Sequence, residues 1–337
     1  MINKTTVLAI VILGAITSCK KDEHSQLINE KAPDRSAMLR LCTVEAVTTC
    51  GGTILSFPNQ AAFDAAYSCL EQEYEAHNTA FEQQYVNMND EDYNNLIDQL
   101  GFDEEQTLAD FENSVNFVSL RSVLNAQEQI WLNNAVLDPN TDPWDHIIDD
   151  PIYASLLSIN GDVKIGNSIF HYEPDGTIIE LTNGDCEELA LIHGDPNYRS
   201  ANTNVLTLGP INEICKRVKN NKGEREWLSD SNKKYKWRLA FFGRFFTADA
   251  SVKIRNLQKR NNRWRKMATS CYVEVSGSAR NSACTEIQAF SLKNKGYNRR
   301  KVLRTKRVIF QESKIQSQDV IGIFIAGSTN TTDRLSW

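Results

Sequence analysis

The sequence predicts an α+β protein, with a mainly helical N-terminal part followed by an antiparallel β-sandwich-like C-terminal part. Apolar and aromatic residues recur every three or four positions between Asn59 and Val136, which is the spacing of a helix face. From about Val205, short runs alternate apolar and polar residues between turns of Gly, Asn and Ser, as half-buried strands do. The charge changes sign near the same place, since residues 1–210 carry 9 Lys/Arg and 33 Asp/Glu, and residues 211–337 carry 28 and 10.

The first residues have the order of a bacterial lipoprotein signal. Lys4 precedes the apolar run Val7–Ile16, which is too short to span a bilayer as a helix. The small residues before Cys19 resemble the lipobox of bacterial lipoproteins, which implies that residues 1–18 are removed and that Cys19 is lipidated. Residues 19–40 are then a polar tether. The alternative is an ordinary signal peptide in which Cys19 is incidental.

A lipid on Cys19 would attach the protein to a membrane through its N-terminus. The segment "CKKDEH" that follows resembles the export signal of Bacteroidetes surface lipoproteins, and a solvated charged linker is the alternative. We therefore expect an outer-membrane, lipid-anchored protein whose body lies on the cell surface or faces the periplasm.

The N-terminal part is predicted to contain three helices and a hairpin. One long helix begins after the capping residue Asn59, a short helix ends at Gly101, and residues 107–136 form a second long helix. Three prolines and five aspartates in residues 138–151 interrupt the helices. Asp175-Gly176, between two β-branched runs, predicts a hairpin turn. We assign residues 41–200 to a mainly helical acidic domain with a β-hairpin, and residues 201–337 to a basic β-rich domain.

In the C-terminal part, "DVIGIFIAG" is apolar on both faces, which predicts a central strand. "KMATSCYVEV" alternates, and a hairpin is expected to turn near Gly277. The strand order stays open.

Eight cysteines are present, and an envelope location permits disulfides. Lipidation of Cys19 leaves an odd number, so at least one thiol is free or pairs between chains. The candidate bridges are Cys271–Cys284 across the hairpin and Cys186–Cys215 at the junction of the two halves. Three more cysteines compete for one bridge: Cys42, Cys50 and Cys69. The alternative is that these cysteines are reduced and buried in the core.

The combination of lipobox, helical segment with "FVSLR", the stretch "DDPIYASLLSINGDVKIGNSIFHYEPDGTIIEL" and basic β-rich C-terminal part resembles a group of uncharacterised Bacteroidetes lipoproteins. The resemblance implies a location and a layout. It brings no catalytic residues to this chain.

No catalytic residue, metal site or cofactor is predicted. Neither HExxH nor GxSxG occurs. Asp138, Asn140 and Asp142 match part of a calcium loop, but Pro143 stands where an EF-hand needs glycine. A solvated acidic loop, or caps of following helices, is the better interpretation.

Clustered Lys and Arg with interleaved aromatics in the basic half predict binding of a polyanion. The candidate residues are Lys236, Arg238, Arg263, Arg265, Arg300 and Arg304. The expected partner is an anionic glycan, lipopolysaccharide or an envelope protein, and no nucleic acid is expected outside the cell. The alternative is that this basic surface faces the acidic half. A non-enzymatic binding or structural role is therefore predicted, and the alternative function is a hydrolase of cell-surface polymers that uses carboxylates such as Glu187 and Glu188.

Overall fold

The structure, a computed structural model, has the predicted α+β class, with helices in the N-terminal part and mostly antiparallel strands in the C-terminal part. The signal peptide 1–18 and the tether 19–40, including Cys19, lie outside the described residues. The structure describes residues 47–146, 148, 150–173, 177–195, 197–206, 221–226, 232–243, 248–281, 287–299, 301–308, 315–326 and 329–336.

The helices begin and end at residues that satisfy their terminal backbone groups. They are α1 Gln60–Gln84, α2 Asp90–Leu100, α3 Gln106–Ser114, α4 Leu120–Leu132, α5 Pro151–Ser155 and α6 Cys186–Gly194. The side chain of Asn59 accepts from the amide of Ala62 and caps α1, as predicted. Gly101 ends α2 with φ 63°, in the left-handed region that glycine tolerates. None of the described helices is both long and apolar enough to cross a bilayer.

The prediction of one long helix over residues 107–136 is wrong, because the chain forms α3 and α4 with a break between them. Asn116 adopts φ 50°, outside the helical region, and the side chain of Ser119 caps α4 by accepting from Ser122 N. The two helices are held together by Arg121, whose Nε donates to Glu112 Oε1 at 2.7 Å. The capping residue and this buried ion pair therefore favour two helices over one.

The proline- and aspartate-rich segment interrupts the helices, as predicted. Two 3₁₀ turns, Pro139–Thr141 and Pro143–Asp145, replace an α-helix there. Asp150 caps α5 by accepting from the amides of Ile152 and Tyr153, so one of the acids has the predicted capping role.

A six-stranded sheet lies among the helices, in the order β1-β2-β3-β4-β5-β6. Its strands are β1 Val47–Thr49, β2 Ile54–Phe57, β3 Asp162–Ile165, β4 Ser168–Tyr172, β5 Ile178–Leu181 and β6 Thr203–Leu206. β2 and β3 are parallel, and the other pairs are antiparallel. The predicted hairpin is β4–β5, and its turn residues Asp175 and Gly176 lie outside the described residues.

Helices cover both faces of this sheet, because successive strand residues point to opposite sides. Leu55, Phe170 and Ile178 pack with α1, α3, α4 and α5 in the main hydrophobic cluster. On the other face, the neighbouring residues Ile169 and Ile179 pack against α6.

The C-terminal part forms two antiparallel sheets, which confirms the predicted β-rich part. One has the order β10-β9-β8-β7 with β13 also on β9, and the other has the order β12-β11-β14-β15. The strands are β7 Asn221–Glu226, β8 Lys233–Gly243, β9 Ala248–Arg260, β10 Arg263–Lys266, β11 Thr269–Asn281, β12 Ile287–Arg299, β13 Lys301–Val308, β14 Ile315–Ala326 and β15 Thr329–Ser336. β14 lies between β11 and β15, so the predicted central strand is confirmed.

The predicted hairpin around Gly277 turns elsewhere. Gly277 lies within β11 opposite Phe290 of β12, and the pairing ends at Arg280 and Ile287. Cys271 is opposite Gly296 and is a free, buried thiol. The predicted Cys271–Cys284 bridge is therefore wrong, because Cys271 is not disulfide-bonded; Cys284 itself lies outside the described residues.

The helical and β-rich parts belong to one compact unit. Leu257 of β9 packs with Trp131 of α4, and Ala268 packs with Tyr93 of α2. β6, at residues 203–206, pairs with β5 of the N-terminal sheet. The predicted boundary at residue 200 thus falls just before the last strand of that sheet.

A disulfide joins Cys50 to Cys186 over a sequence separation of 136 residues. The predicted Cys186–Cys215 bridge is wrong, because Cys186 is already paired. Cys69 is also disulfide-bonded, and its partner lies outside the described residues. Long-range pairings of this kind depend on the folded topology and cannot be read from spacing.

Replacing Cys50 and Cys186 together by serine should lower the free energy of unfolding by about 2–5 kcal/mol, because the bridge closes a long loop in the unfolded chain. Denaturant unfolding of the non-reduced protein measures this change. Peptide mapping should find the Cys50–Cys186 linkage, and a peptide joining Cys186 to Cys215 would contradict the structure.

Candidate functional site

Two of the predicted polyanion-binding residues, Lys236 and Arg238, are buried at 3% and 0% exposure. Lys236 Nζ lies 2.6 Å from Asp142 Oδ2 and 3.2 Å from Asp145 Oδ2. Arg238 Nη1 donates to the carbonyl of His146 at 2.7 Å. A polyanion cannot reach either side chain, because this face of β8 packs on the acidic segment of the N-terminal part.

The centre of this contact is Arg255 of β9, which is fully buried. Its Nη1 donates to Glu128 Oε1 at 2.7 Å and its Nη2 to Asp142 Oδ2 at 2.5 Å. Burial opposes both charges, but the surrounding ion pairs lower the pKa of Asp142 and raise the pKa of Arg255. Lys266 Nζ reaches the second oxygen of Glu128 at 2.7 Å. Lys236, Arg238, Arg255 and Lys266 therefore face the acidic N-terminal half. This is the alternative to polyanion binding that the sequence analysis left open.

The exposed basic candidates lie at the β9–β10 hairpin. Arg263 is exposed, and the side chain of Arg265 is 53% exposed. Trp264 between them is half-buried. Arg300 lies outside the described residues, and the side chain of Arg304 is also outside them, although its backbone pairs with Val252 in β13–β9.

A cavity of about 290 Å³ opens beside this hairpin. We refer to it as the hairpin cavity. It combines guanidinium and ammonium groups, one indole and two carboxamides. Its lining residues are Asp98, Gln129, Leu132, Asn133, Arg263, Trp264, Arg265 and Lys266.

A second polar site, which the sequence analysis missed, consists of Asp162, His171 and His193 and is called the histidine cluster below. One carboxylate oxygen, Asp162 Oδ1, lies 2.7 Å from His171 Nδ1 and 3.1 Å from His193 Nε2. Burial would raise the pKa of Asp162, but hydrogen bonds from the two imidazoles outweigh it and lower the pKa to about 2. The hydrogen bond to Asp162 raises the pKa of His193.

Three elements bring the histidine cluster together. The two-residue turn between Ile165 and Ser168 sets the β3–β4 register, which places Asp162 opposite His171. His193 comes from the last turn of α6. The Gly166-Asn167 turn was the available sequence signal for the first pair, whereas the position of α6 has no comparable signal.

The histidine cluster borders a cavity of about 320 Å³, whose lining includes His146, Asn160, His171, Glu173 and His193. Glu173 is 8% exposed, and its Oε2 lies 3.9 Å from His171 Nε2. Its Oε1 is buried with no hydrogen-bond partner in the described part of the chain.

Glu187 and Glu188, the carboxylates considered for a hydrolase, differ in exposure and in hydrogen bonding. Glu187 is exposed in the first turn of α6. Glu188 accepts hydrogen bonds from Ser200, Asn183 and Asn202, which lower its pKa. Glu188 therefore anchors the loops around α6 and β6.

No protein-family model and no curated protein matches the sequence. Among solved structures, the chain is similar to a crystal structure of a DUF4848 family protein from Bacteroides thetaiotaomicron VPI-5482, with 11% identity, a TM-score of 0.23, and coverage of 86% of this chain and 100% of that chain. A TM-score of this size carries no argument about fold or activity.

Replacing Arg255 by leucine should lower the free energy of unfolding by about 3–5 kcal/mol, because Glu128 and Asp142 would stay buried and lose the cation they share, keeping only Lys266 and Lys236 respectively. Denaturant unfolding measures this loss. Arg263→Ala, an exposed arginine of the adjacent strand, is the matched control and should change stability by less than about 0.5 kcal/mol.

Adding Glu128→Gln to Arg255→Leu should recover part of the loss, because it removes a buried carboxylate that has lost its buried cation, whereas its other partner, Lys266, is 20% exposed and can turn to solvent. Equal denaturant midpoints for Arg255→Leu and the control would show that this ion pair does not hold the two parts together.

Proposed function

We propose that this chain is a lipid-anchored cell-envelope protein that binds an anionic glycan, without catalysis, at the hairpin cavity. The observation that carries the proposal is that Arg263 and Arg265 remain exposed around Trp264, whereas Lys236 and Arg238 are used in internal contacts.

The hairpin concentrates positive charge at its tip. Arg260 and Arg263 are directly opposite each other in the β9–β10 pairing, and like charges in that position destabilise a hairpin. The side chain of Arg260 donates to Asn95 and Gln258, which are neutral and do not compensate its charge. An anion bound at the tip would relieve this repulsion.

A tight turn sets the backbone positions of Arg260 and Arg263. Asn261 and Asn262 connect the strands with φ 49° and 64°, the left-handed pair of conformations that a tight two-residue hairpin turn requires. The turn therefore fixes the backbone of the two arginines that flank it, so that both belong to the same tip of the hairpin.

The lining of the hairpin cavity suits an acidic sugar. Guanidinium groups pair with carboxylate or sulfate groups, and the carboxamides of Gln129 and Asn133 can bond to hydroxyl groups. The competing internal partner is Asp98, whose Oδ2 lies 3.5 Å from Arg265 Nη1 with both side chains more than one-third exposed. Such an exposed pair contributes at most about 1 kcal/mol, so a ligand can displace it.

Arg263→Glu should weaken binding to chondroitin sulfate by at least about tenfold, since a charge-assisted hydrogen bond contributes about 1.5–3 kcal/mol and the new carboxylate repels the anion. The same change should slightly raise stability, because the new carboxylate would face Arg260 across the hairpin and replace a like-charge pair by an opposite-charge pair. Binding is measured by titration at low salt, with dextran as the neutral polymer, and stability by thermal unfolding.

Arg199→Glu is the matched control, because Arg199 is also exposed and the net charge changes equally. It should leave binding almost unchanged. Equal weakening in the two variants would mean that only net charge matters, and no binding by the unmodified chain at low salt would contradict the proposed function.

The membrane anchor rests on the lipobox resemblance and has its own test. Cys19→Ser should abolish incorporation of labelled palmitate and move the protein out of the membrane fraction, because the thiol that carries the lipid is lost. Ser18→Ala keeps a small residue before the cysteine and should keep the label. Palmitate incorporation in Cys19→Ser would contradict the anchor.

A further inference from the structure

We propose that the histidine cluster is a binding site for a zinc-class divalent metal ion, with Asp162, His171 and His193 as ligands and Glu173 as the outer partner of His171. The site lies on the six-stranded sheet, and the proposal is independent of glycan binding at the hairpin cavity.

The donor set and its spacing carry the first step. One donor atom from each of the three residues lies within 4.8 Å of the other two. Asp162 Oδ1 is 2.7 Å and 3.1 Å from the two imidazole nitrogens that donate to it. Zinc bonds to nitrogen and oxygen at 2.0–2.2 Å, so tetrahedral ligands lie about 3.3 Å apart. A small increase in the distances from Asp162 Oδ1 to the two imidazole nitrogens would let the ion take the place of the two N–H protons that now point at this oxygen.

The chemistry of the donors selects the class of ion. Two imidazoles and one carboxylate suit zinc and its first-row neighbours, whereas calcium and magnesium require mainly oxygen ligands. The remaining coordination position would face the cavity of about 320 Å³. His193, with 27% of its side chain exposed, provides the route by which the ion enters.

Outer partners are already in place around the ligands. Ser158 Oγ donates to the second oxygen of Asp162 at 2.6 Å, and the carboxamide of Asn160 lies 3.4 Å from His193 Nδ1. When His171 binds the ion through Nδ1, its Nε2 carries the proton and faces Glu173 Oε2 at 3.9 Å. A carboxylate behind a ligating histidine is the usual outer arrangement of metal sites.

Glu173 is the independent observation that points to a cation. The residue is 8% exposed and its side chain 11% exposed, and its Oε1 is buried with no hydrogen-bond partner among the described residues. A buried carboxylate whose second oxygen has no hydrogen bond is costly. A divalent ion would balance the two negative charges of Asp162 and Glu173.

The test strips the untagged protein with a chelator, adds zinc back, removes the excess by dialysis and then measures the zinc that stays bound. We expect about one zinc ion per chain, a higher unfolding temperature with zinc, and a cobalt-substituted form with visible absorption from a low-symmetry site. Calcium at equal concentration should not displace the zinc.

The matched variants separate a metal site from a hydrogen-bonded cluster. His193→Gln should lose the ion. Glu173→Gln should weaken zinc binding about 10–100-fold, the range for outer-partner changes. His77→Gln alters a half-buried histidine that contacts Phe102 and Asp103, away from the cluster, and should bind zinc like the unmodified chain.

Circular dichroism of each variant establishes that it is folded. The proposal is overturned if the unmodified chain holds no stoichiometric zinc, if folded His193→Gln retains zinc at the level of His77→Gln, or if calcium displaces zinc. None of these measurements involves a glycan. A negative zinc result therefore does not contradict glycan binding at the hairpin cavity, and a negative glycan result does not contradict the metal site.

Discussion

The guanidinium of Arg255, fully buried between Glu128 and Asp142, is the interaction on which the arrangement of the two parts depends. A buried cation is tolerated only when carboxylates satisfy it, and here one comes from α4 and the other from the aspartate-rich segment. The indole of Trp131 lies 5.1 Å from the same guanidinium carbon. The β-rich part can therefore occupy only the position that brings these groups together, since any other would leave several charges buried and unpaired.

This constraint explains why the charge asymmetry of the sequence is a poor guide to the surface. Lys236, like Arg255, contacts Asp142, so part of each half's excess charge is neutralised inside the molecule. Asp142 cannot serve a calcium loop for the same reason. Only basic residues that the acidic segment does not cover can bind a partner. At the β9–β10 hairpin, the pairing of Arg260 with Arg263 concentrates such charge at one tip.

The sequence predicted the features that local chemistry determines, and it failed where distant segments meet. The cap at Asn59, the stop at Gly101 and the aspartate-rich break each depend on a few neighbouring residues, and each is confirmed. The clustered charges predicted an exposed basic surface at Lys236 and Arg238, but they could not show that the N-terminal part covers these two residues. The Cys50–Cys186 bridge and the approach of His193 to Asp162 likewise join segments far apart in the chain, so neither had a local signal.

The disulfide and the histidine cluster are connected through one short helix. α6 begins at Cys186, which is bonded to Cys50 before β2, and it carries His193 in its last turn. Between Cys186 and His193, the side chains of Leu189 and Ile192 pack the helix against the sheet. A nine-residue helix is only about 13 Å long, so a covalent bond at its first residue restricts the position of a side chain at its end. The disulfide therefore stabilises the fold and also limits how far His193 can move from Asp162, the preorganisation that a three-ligand site requires.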